Sequence, residues 1–140
     1  MSSPDLELQG AILARMKADA TISALANGIW DEPPDTCWAV PKEGFVTIGE
    51  AQFIRDDATC ISGGKVYLTL HAWSRKVGYP AVKAIADAVV ESLHLAPLVL
   101  PTNRMTSINH RQTRVMRDAD GLTSHAVIEF VAYVDKPAAA

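Results

Sequence analysis

The stretch at residues 65–95, KVYLTLHAWSRKVGYPAVKAIADAVVESLHL, contains two periodic patterns in succession. Residues 66–74 alternate between apolar and more polar side chains, which predicts a strand with one apolar face. After Gly78 and Pro80, apolar residues recur at i, i+3, i+4, i+7, i+8 and i+11 from Val82 to Leu93 and form one stripe on a helix. Because this stripe needs an apolar surface, the sequence predicts a helix that packs on a sheet.

The flanking sequence predicts further elements of both kinds. Ser2 or Ser3 can cap a helix that begins at Pro4 and ends near Asp19, with one or two further turns after it. Alternation predicts a short edge strand at 28–30, longer strands at 45–54, 105–115 and 124–134, and an extended segment at 98–100. An extended loop at 31–44, a long polar connection at 55–64 and a turn at 117–121 join them. The predicted fold class is α+β: an antiparallel, or mostly antiparallel, sheet of four or five strands with two helices on one face.

Length and composition are those of an ordinary globular domain. With 140 residues and 49% hydrophobic residues, the chain is expected to form a single domain with flexible ends at 1–3 and 136–140. A net charge of −3 argues against tight nucleic-acid binding by the whole surface. No apolar run reaches membrane-spanning length, so no membrane association or signal-directed export is expected. Cys37 and Cys60 are interpreted as reduced thiols, and their spacing leaves a disulfide open.

No catalytic, metal or cofactor motif is recognisable. His71 and His125 lie in strands without a set of ligands at metal-binding spacing, so structural or surface roles are favoured and no cofactor is expected. Asp56 and Asp57 are adjacent in a polar loop, where solvation is more typical than acid–base catalysis. The arginines from Arg104 to Arg117 alternate irregularly, which favours a solvated strand or a subunit contact over nucleic-acid recognition. The chain is therefore not expected to be an enzyme.

The second face of the predicted sheet is too apolar to be wholly exposed to water. It would carry six residues from two strands: Thr69, His71, Trp73, Val127, Val131 and Tyr133. An apolar patch of this kind is typical of an interaction surface. We therefore expect a partner subunit or a loop to cover part of it.

Four segments together resemble one known protein family. FVTIGEAQ at 45–52, VYLTLHAWSR at 66–75, GYPAVKAIADAVVESLHLAPL at 78–98 and VMRDADGLTSHAVIEFVAYV at 115–134 are similar to the tail-completion, or tail terminator, proteins of long-tailed phages and gene transfer agents. The resemblance covers most of the chain. It implies an α+β subunit of a hexameric ring that caps the tail tube, stops tube polymerisation and joins the tail to the head connector, or stopper, protein.

The resemblance also implies where the protein acts and what it contacts. Its location would be the tail or neck of the virion or gene-transfer-agent particle, assembled in the bacterial cytoplasm, with DNA passing through the ring without specific binding. Candidate contacts to a neighbouring subunit, the tube or the connector are Asp56, Asp57, Lys65, His71, Trp73, Arg111, Arg114 and Tyr133. Two alternatives remain at this point: another neck component, such as a head–tail joining or adaptor protein, and, more distantly, a small ligand-binding protein or hydrolase.

Overall fold

The computed structural model describes residues 3–57 and 62–136. Their elements follow the order α1 (Pro4–Ala18), α2 (Ala20–Leu25), β1 (Ile29–Trp30), β2 (Gly44–Arg55), β3 (Ser62–Ser74), α3 (Pro80–Leu93), β4 (Arg104–Arg117) and β5 (Ser124–Lys136). The five strands form one sheet in the order β1-β2-β3-β5-β4. Only the β1–β2 pair is parallel among these strands, so the sheet is mostly antiparallel and the α+β prediction is confirmed.

The apolar core lies between one face of the sheet and the three helices. In β3 and β5 every second residue faces this core, as the alternation predicts, and the α3 stripe packs against it. The largest fully buried side chains come from every layer: Phe130, Leu8, Ile12, Met16, Ile22, Leu70, Ile85, Leu93, Ile108, Ile128, Val46 and Val66. This arrangement leaves the opposite face of the sheet without a covering helix in the described part of the chain.

The structure agrees with the predicted first helix and corrects several of the connecting segments. The helix predicted to begin at Pro4 ends at Ala18, and Asp19 then caps α2 by accepting hydrogen bonds from the N–H groups of Thr21 and Ile22. The loop at 31–44 is not wholly extended, because Asp35–Trp38 forms a 3₁₀ turn. The connection predicted at 55–64 is shorter, since β2 continues to Arg55 and β3 begins at Ser62. Residues 58–61 of that connection, which include Cys60, lie outside the described residues, and residues 98–100 belong to no strand.

A buried carboxylate fixes α1 to the segment that precedes β4. Glu7 accepts hydrogen bonds from the hydroxyl and N–H groups of Thr102 and from the N–H and side-chain amide of Asn103. The Thr102 hydroxyl contributes most, and together these donors lower the pKa of Glu7 to about 2 although burial opposes the shift. This contact could not be predicted from the sequence, because Thr102 and Asn103 lie 95 and 96 residues from Glu7 along the chain.

Candidate interaction surface

The sheet face that points away from the helices is called the open sheet face below. Its rows run across β2, β3, β5 and β4, and one row consists of Thr47, His71, Val127 and Arg114. Val127 and Val131 on this face are only 7% and 8% exposed, whereas Tyr133 is 39% exposed. The open sheet face therefore combines buried apolar positions with exposed polar and aromatic ones.

An aromatic cluster covers one end of the open sheet face. Phe45 contacts Trp30, Trp38 and Trp73, with ring centroids 6.0, 4.8 and 6.3 Å apart. The 3₁₀ turn brings Trp38 into this cluster, and the guanidinium of Arg75 lies 3.9 Å from the centroid of the Trp38 ring. A loop of the same chain thus covers part of this face.

Two histidines form the centre of the open sheet face. His71 Nδ1 and His125 Nε2 are 2.7 Å apart, so one nitrogen carries the hydrogen and the other accepts it. The His125 ring stacks on Trp73 at a centroid distance of 3.8 Å, and Trp73 Nε1 donates to Thr47 Oγ1 at 3.0 Å. His71 and Trp73, which the sequence analysis selected, are therefore held together by His125 and Thr47, which it did not select.

Acidic side chains lie at both ends of the histidine pair. Glu50 Oε2 is 3.8 Å from His71 Nε2, and Asp118 Oδ1 is 3.6 Å from His125 Nδ1. Burial lowers the pKa of His125 first, the charges of His71 and Arg114 lower it further, and Asp118 opposes the shift. One hydrogen thus lies between the two rings, and the surroundings of His125 disfavour its protonation.

Two arginines of β4, Arg111 and Arg114, lie on the open sheet face, and β4 contains two β-bulges. Register shifts occur between Met105 and Ser107 and between His110 and Gln112. Each bulge changes the phase of the alternation, which is why the irregular spacing of the arginines did not predict a common face. Arg111 lies 5.1 Å from the centre of the Tyr67 ring, and Arg114 Nε lies 4.0 Å from Glu129 Oε2.

The remaining candidate residues lie towards the β2–β3 connection. Lys65 Nζ is 5.7 Å from the centre of the Tyr133 ring on the open sheet face. Asp57 closes the connection by accepting from the Gly63 N–H and the Ser62 hydroxyl, and it pairs with Arg55. Asp56 is exposed beside it. The structure therefore brings together Lys65, His71, Trp73, Arg111, Arg114 and Tyr133 on one face and places the two aspartates at its end.

The opposite end of the sheet displays three exposed apolar side chains. Val40, Val77 and Leu122 are 76%, 99% and 73% exposed and lie in loops that adjoin the row of Gly44, Ser74 and Ser124. This end of the sheet is therefore less polar than the end that carries Asp56 and Asp57.

Other kinds of site were also considered. Within residues 3–57 and 62–136, no group of three or more histidine, cysteine, aspartate or glutamate side chains could hold a metal ion. No helix in the described part of the chain has the length and apolar character that a membrane span requires. Cys37 is a buried free thiol, and burial raises its pKa.

Comparison with known proteins identifies the family. No curated protein matches the chain. A chain from the structure "Virion of native gene transfer agent (GTA) particle" has the same fold, with a TM-score of 0.84 and 24% identity over 96% of this chain and 99% of that chain. The family model for tail completion protein gp17 matches residues 10–135, so the resemblance seen in the sequence is confirmed. The chain belongs to the tail completion protein gp17 family and is a structural protein of the virion tail.

Proposed function

We propose that six copies of this chain form a ring at the head-proximal end of the tail tube. The ring stops polymerisation of the tube and joins it to the head connector, or stopper, protein. Membership of the tail completion family supports this role. The observation that carries the proposal is the open sheet face, whose side chains are already fixed by contacts with one another.

A surface fixed in this way suits binding to a rigid partner. The His71–His125 contact, the Trp73–Thr47 hydrogen bond and the Arg111–Tyr67 contact hold side chains on four neighbouring strands of the face. Ordering a long side chain on association costs roughly 0.5–1.5 kcal/mol, and less of that cost remains when the side chain is already held. Assembly into a ring therefore requires little further ordering of this surface.

The two ends of the sheet differ in chemistry, which supports contacts with two different partners. One end carries Val40, Val77 and Leu122, and the other carries the exposed carboxylates of Asp56 and Asp57. In a ring whose strands are tilted but still run from one side of the ring to the other, these ends lie toward the two rims. The tube and the connector, which lie on the two sides of the ring along its axis, are called the axial partners. We assign the apolar end of the sheet to one axial partner and the carboxylate end to the other.

A ring of identical subunits needs heterologous contacts, in which one surface of each copy meets a different surface of the next. The net charge of −3 per subunit suits a ring through which DNA passes without specific binding, because a strongly basic lumen would retain phosphates.

The native mass of the purified chain tests the proposal, first alone and then mixed with the tail-tube protein and with the connector protein. We expect a hexamer in at least one of these states. Val77→Asp should weaken binding of one axial partner and leave the hexamer intact, whereas Val99→Asp, at a position 88% exposed but away from that rim, should change neither. A chain that stays monomeric and ignores the tube protein contradicts the ring; if it binds the connector alone, it has another role in the neck.

A further inference from the structure

The two margins of the sheet each leave half of a strand without a neighbour. At one margin β1 pairs only with Val46 and Thr47, so residues 49–55 of β2 have no strand partner on that side in the described structure. At the other margin Ile108 O accepts a hydrogen bond from Leu95 N–H, and His110 N–H donates one to His94 Nδ1. Beyond these contacts, residues 111–117 of β4 have no strand partner on that side in the described structure. These segments are called the open β2 edge and the open β4 edge below.

The backbone groups on both edges point outward at alternate residues. Asp56 N–H donates to Gly63 O, toward β3, so alternation directs the N–H and C=O groups of Ala51, Phe53 and Arg55 away from β3. Asp118 N–H donates to Thr123 O, across the turn toward β5. The same alternation directs the backbone groups of Thr113, Val115 and Arg117 away from β5. Each edge is thus a template for one more strand.

The margins that contain the two edges, with residues 56 and 57 included at the β2 margin, also carry opposite net charge. β4 contains Arg104, Arg111, Arg114 and Arg117 and no acidic residue. The open β2 edge contains Glu50 and Arg55 and continues directly into Asp56 and Asp57. The charges of the two margins are therefore complementary.

From this geometry we propose that the open β2 edge of one copy pairs with the open β4 edge of the next copy, so that the sheet continues from subunit to subunit. The inference rests on the proposed ring and specifies how its copies are joined. Within one chain β2 and β4 run in opposite directions, because three antiparallel pairings separate them. Copies arranged head to tail keep this orientation, so the new pairing is antiparallel.

The positions of the open β2 edge and the open β4 edge set how far neighbouring copies are shifted along the strands. Within one chain Phe53 lies level with Ile108, through the pairs Phe53–Val66, Val66–Ala132 and Ala132–Ile108. Thr113 and Val115 pair with Ile128 and Ala126, four and six residues along β5 from Ala132, so bringing Phe53 beside either of them requires an offset of roughly 13–20 Å. Across four strands, roughly 19 Å wide, this offset gives a strand tilt of roughly 35–45°. Closed barrels have tilts of about 35–45°, so the offset is compatible with a closed ring.

Disulfide cross-linking tests the pairing in a chain that carries Cys60→Ser and keeps the buried Cys37. Gln52→Cys is combined in turn with Gln112→Cys, Arg114→Cys or Met116→Cys, all of which lie on the open sheet face side. Strand pairing brings Cβ atoms of facing residues within disulfide reach. We expect at least one combination to give a ladder of cross-linked species up to the hexamer on a denaturing gel, while Gln52→Cys with Val99→Cys gives none.

A backbone variant provides an independent measurement. Ala51→Pro removes an outward N–H at an exposed position without removing a bond to β3, so the fold should survive. We expect this variant to unfold cooperatively like the unmodified chain and to lose the hexamer. A hexamer that persists in Ala51→Pro, together with no cross-linking in the three combinations, overturns the edge pairing but leaves the ring itself standing. An unmodified chain that never forms a hexamer overturns both proposals.

Discussion

Acidification should weaken the fold through the His71–His125 pair. The 2.7 Å separation of Nδ1 and Nε2 accommodates one hydrogen, so protonation of both rings must break the contact. Glu50 and Asp118 approach the outer nitrogens of the pair, and Arg114 adds positive charge near His125. Burial and the positive charges of His71 and Arg114 outweigh Asp118, so His125 binds a proton less readily than a free imidazole does.

The sign and size of the effect follow from linkage. Burial and the neighbouring charges lower the pKa of His125 in the folded state, whereas a histidine in the unfolded chain titrates near pH 6.5. Between these two values the unfolded state holds more protons, so the free energy of unfolding decreases as the pH falls below about 6.5. One such group can contribute at most about 1.4 kcal/mol per pH unit, or about 2 kcal/mol between pH 6.5 and pH 5.

Urea unfolding at pH 7.5, 6.5, 5.5 and 5.0 measures this contribution. His125→Phe keeps a ring for stacking on Trp73 but cannot titrate, so its stability should depend less on pH than that of the unmodified chain. Val99→Gln, an exposed position at which neither side chain titrates, should keep the original dependence. All three chains are compared in the same oligomeric state. Parallel pH profiles for His125→Phe and the unmodified chain, or an NMR titration in which His125 gains its proton at or above pH 6.5, would refute the reasoning.

Three further predictions concern the stability of the subunit, measured by urea and thermal unfolding. Glu7→Gln should lower the melting temperature at pH 7, because an amide cannot accept hydrogen bonds from all four donors. The difference in melting temperature between this variant and the unmodified chain should shrink as the pH falls from 4.5 toward about 2, and a difference that stays constant would contradict the role of the carboxylate. Gly10→Ala should stabilise α1 by about 0.5–1 kcal/mol, whereas Gly64→Ala should destabilise the fold because the added Cβ would overlap Ile54 O. Equal effects of the two substitutions on the free energy of unfolding would contradict this difference. Phe130→Ala should cost about 3–5 kcal/mol, and a cost below 1 would contradict its burial.

Elements with regular periodicity could be predicted from the sequence alone. β3, α3 and β5 each have one face in the core, and the alternating or helical spacing of their apolar residues follows from that burial. β2 was harder to predict because a bulge between Ile48 and Ala51 shifts its alternation. The same effect in β4 concealed that Arg111 and Arg114 share a face. Local irregularities of the backbone therefore limited the prediction of the surface more than that of the core.

Contacts between distant segments could not be predicted from spacing. His71 and His125 are 54 residues apart in sequence and meet because β5 lies next to β3. A single sequence suggests that both strands exist but does not reveal their order in the sheet. Glu7 is similar, since its position in the first turn of α1 accounts for an interaction with the helix dipole but not for its contacts with Thr102 and Asn103. The family resemblance was therefore a stronger guide to function than any single candidate residue.

The measurement that tests the central claim most directly is polymerisation of the purified tail-tube protein with and without this chain, followed by electron microscopy with a label on the chain. The account predicts that added chain shortens the tubes and that the label lies at one end only, as a ring that blocks further addition. Tubes of unchanged length without label at their ends, in the presence of folded chain, would contradict the claim that this protein terminates the tail.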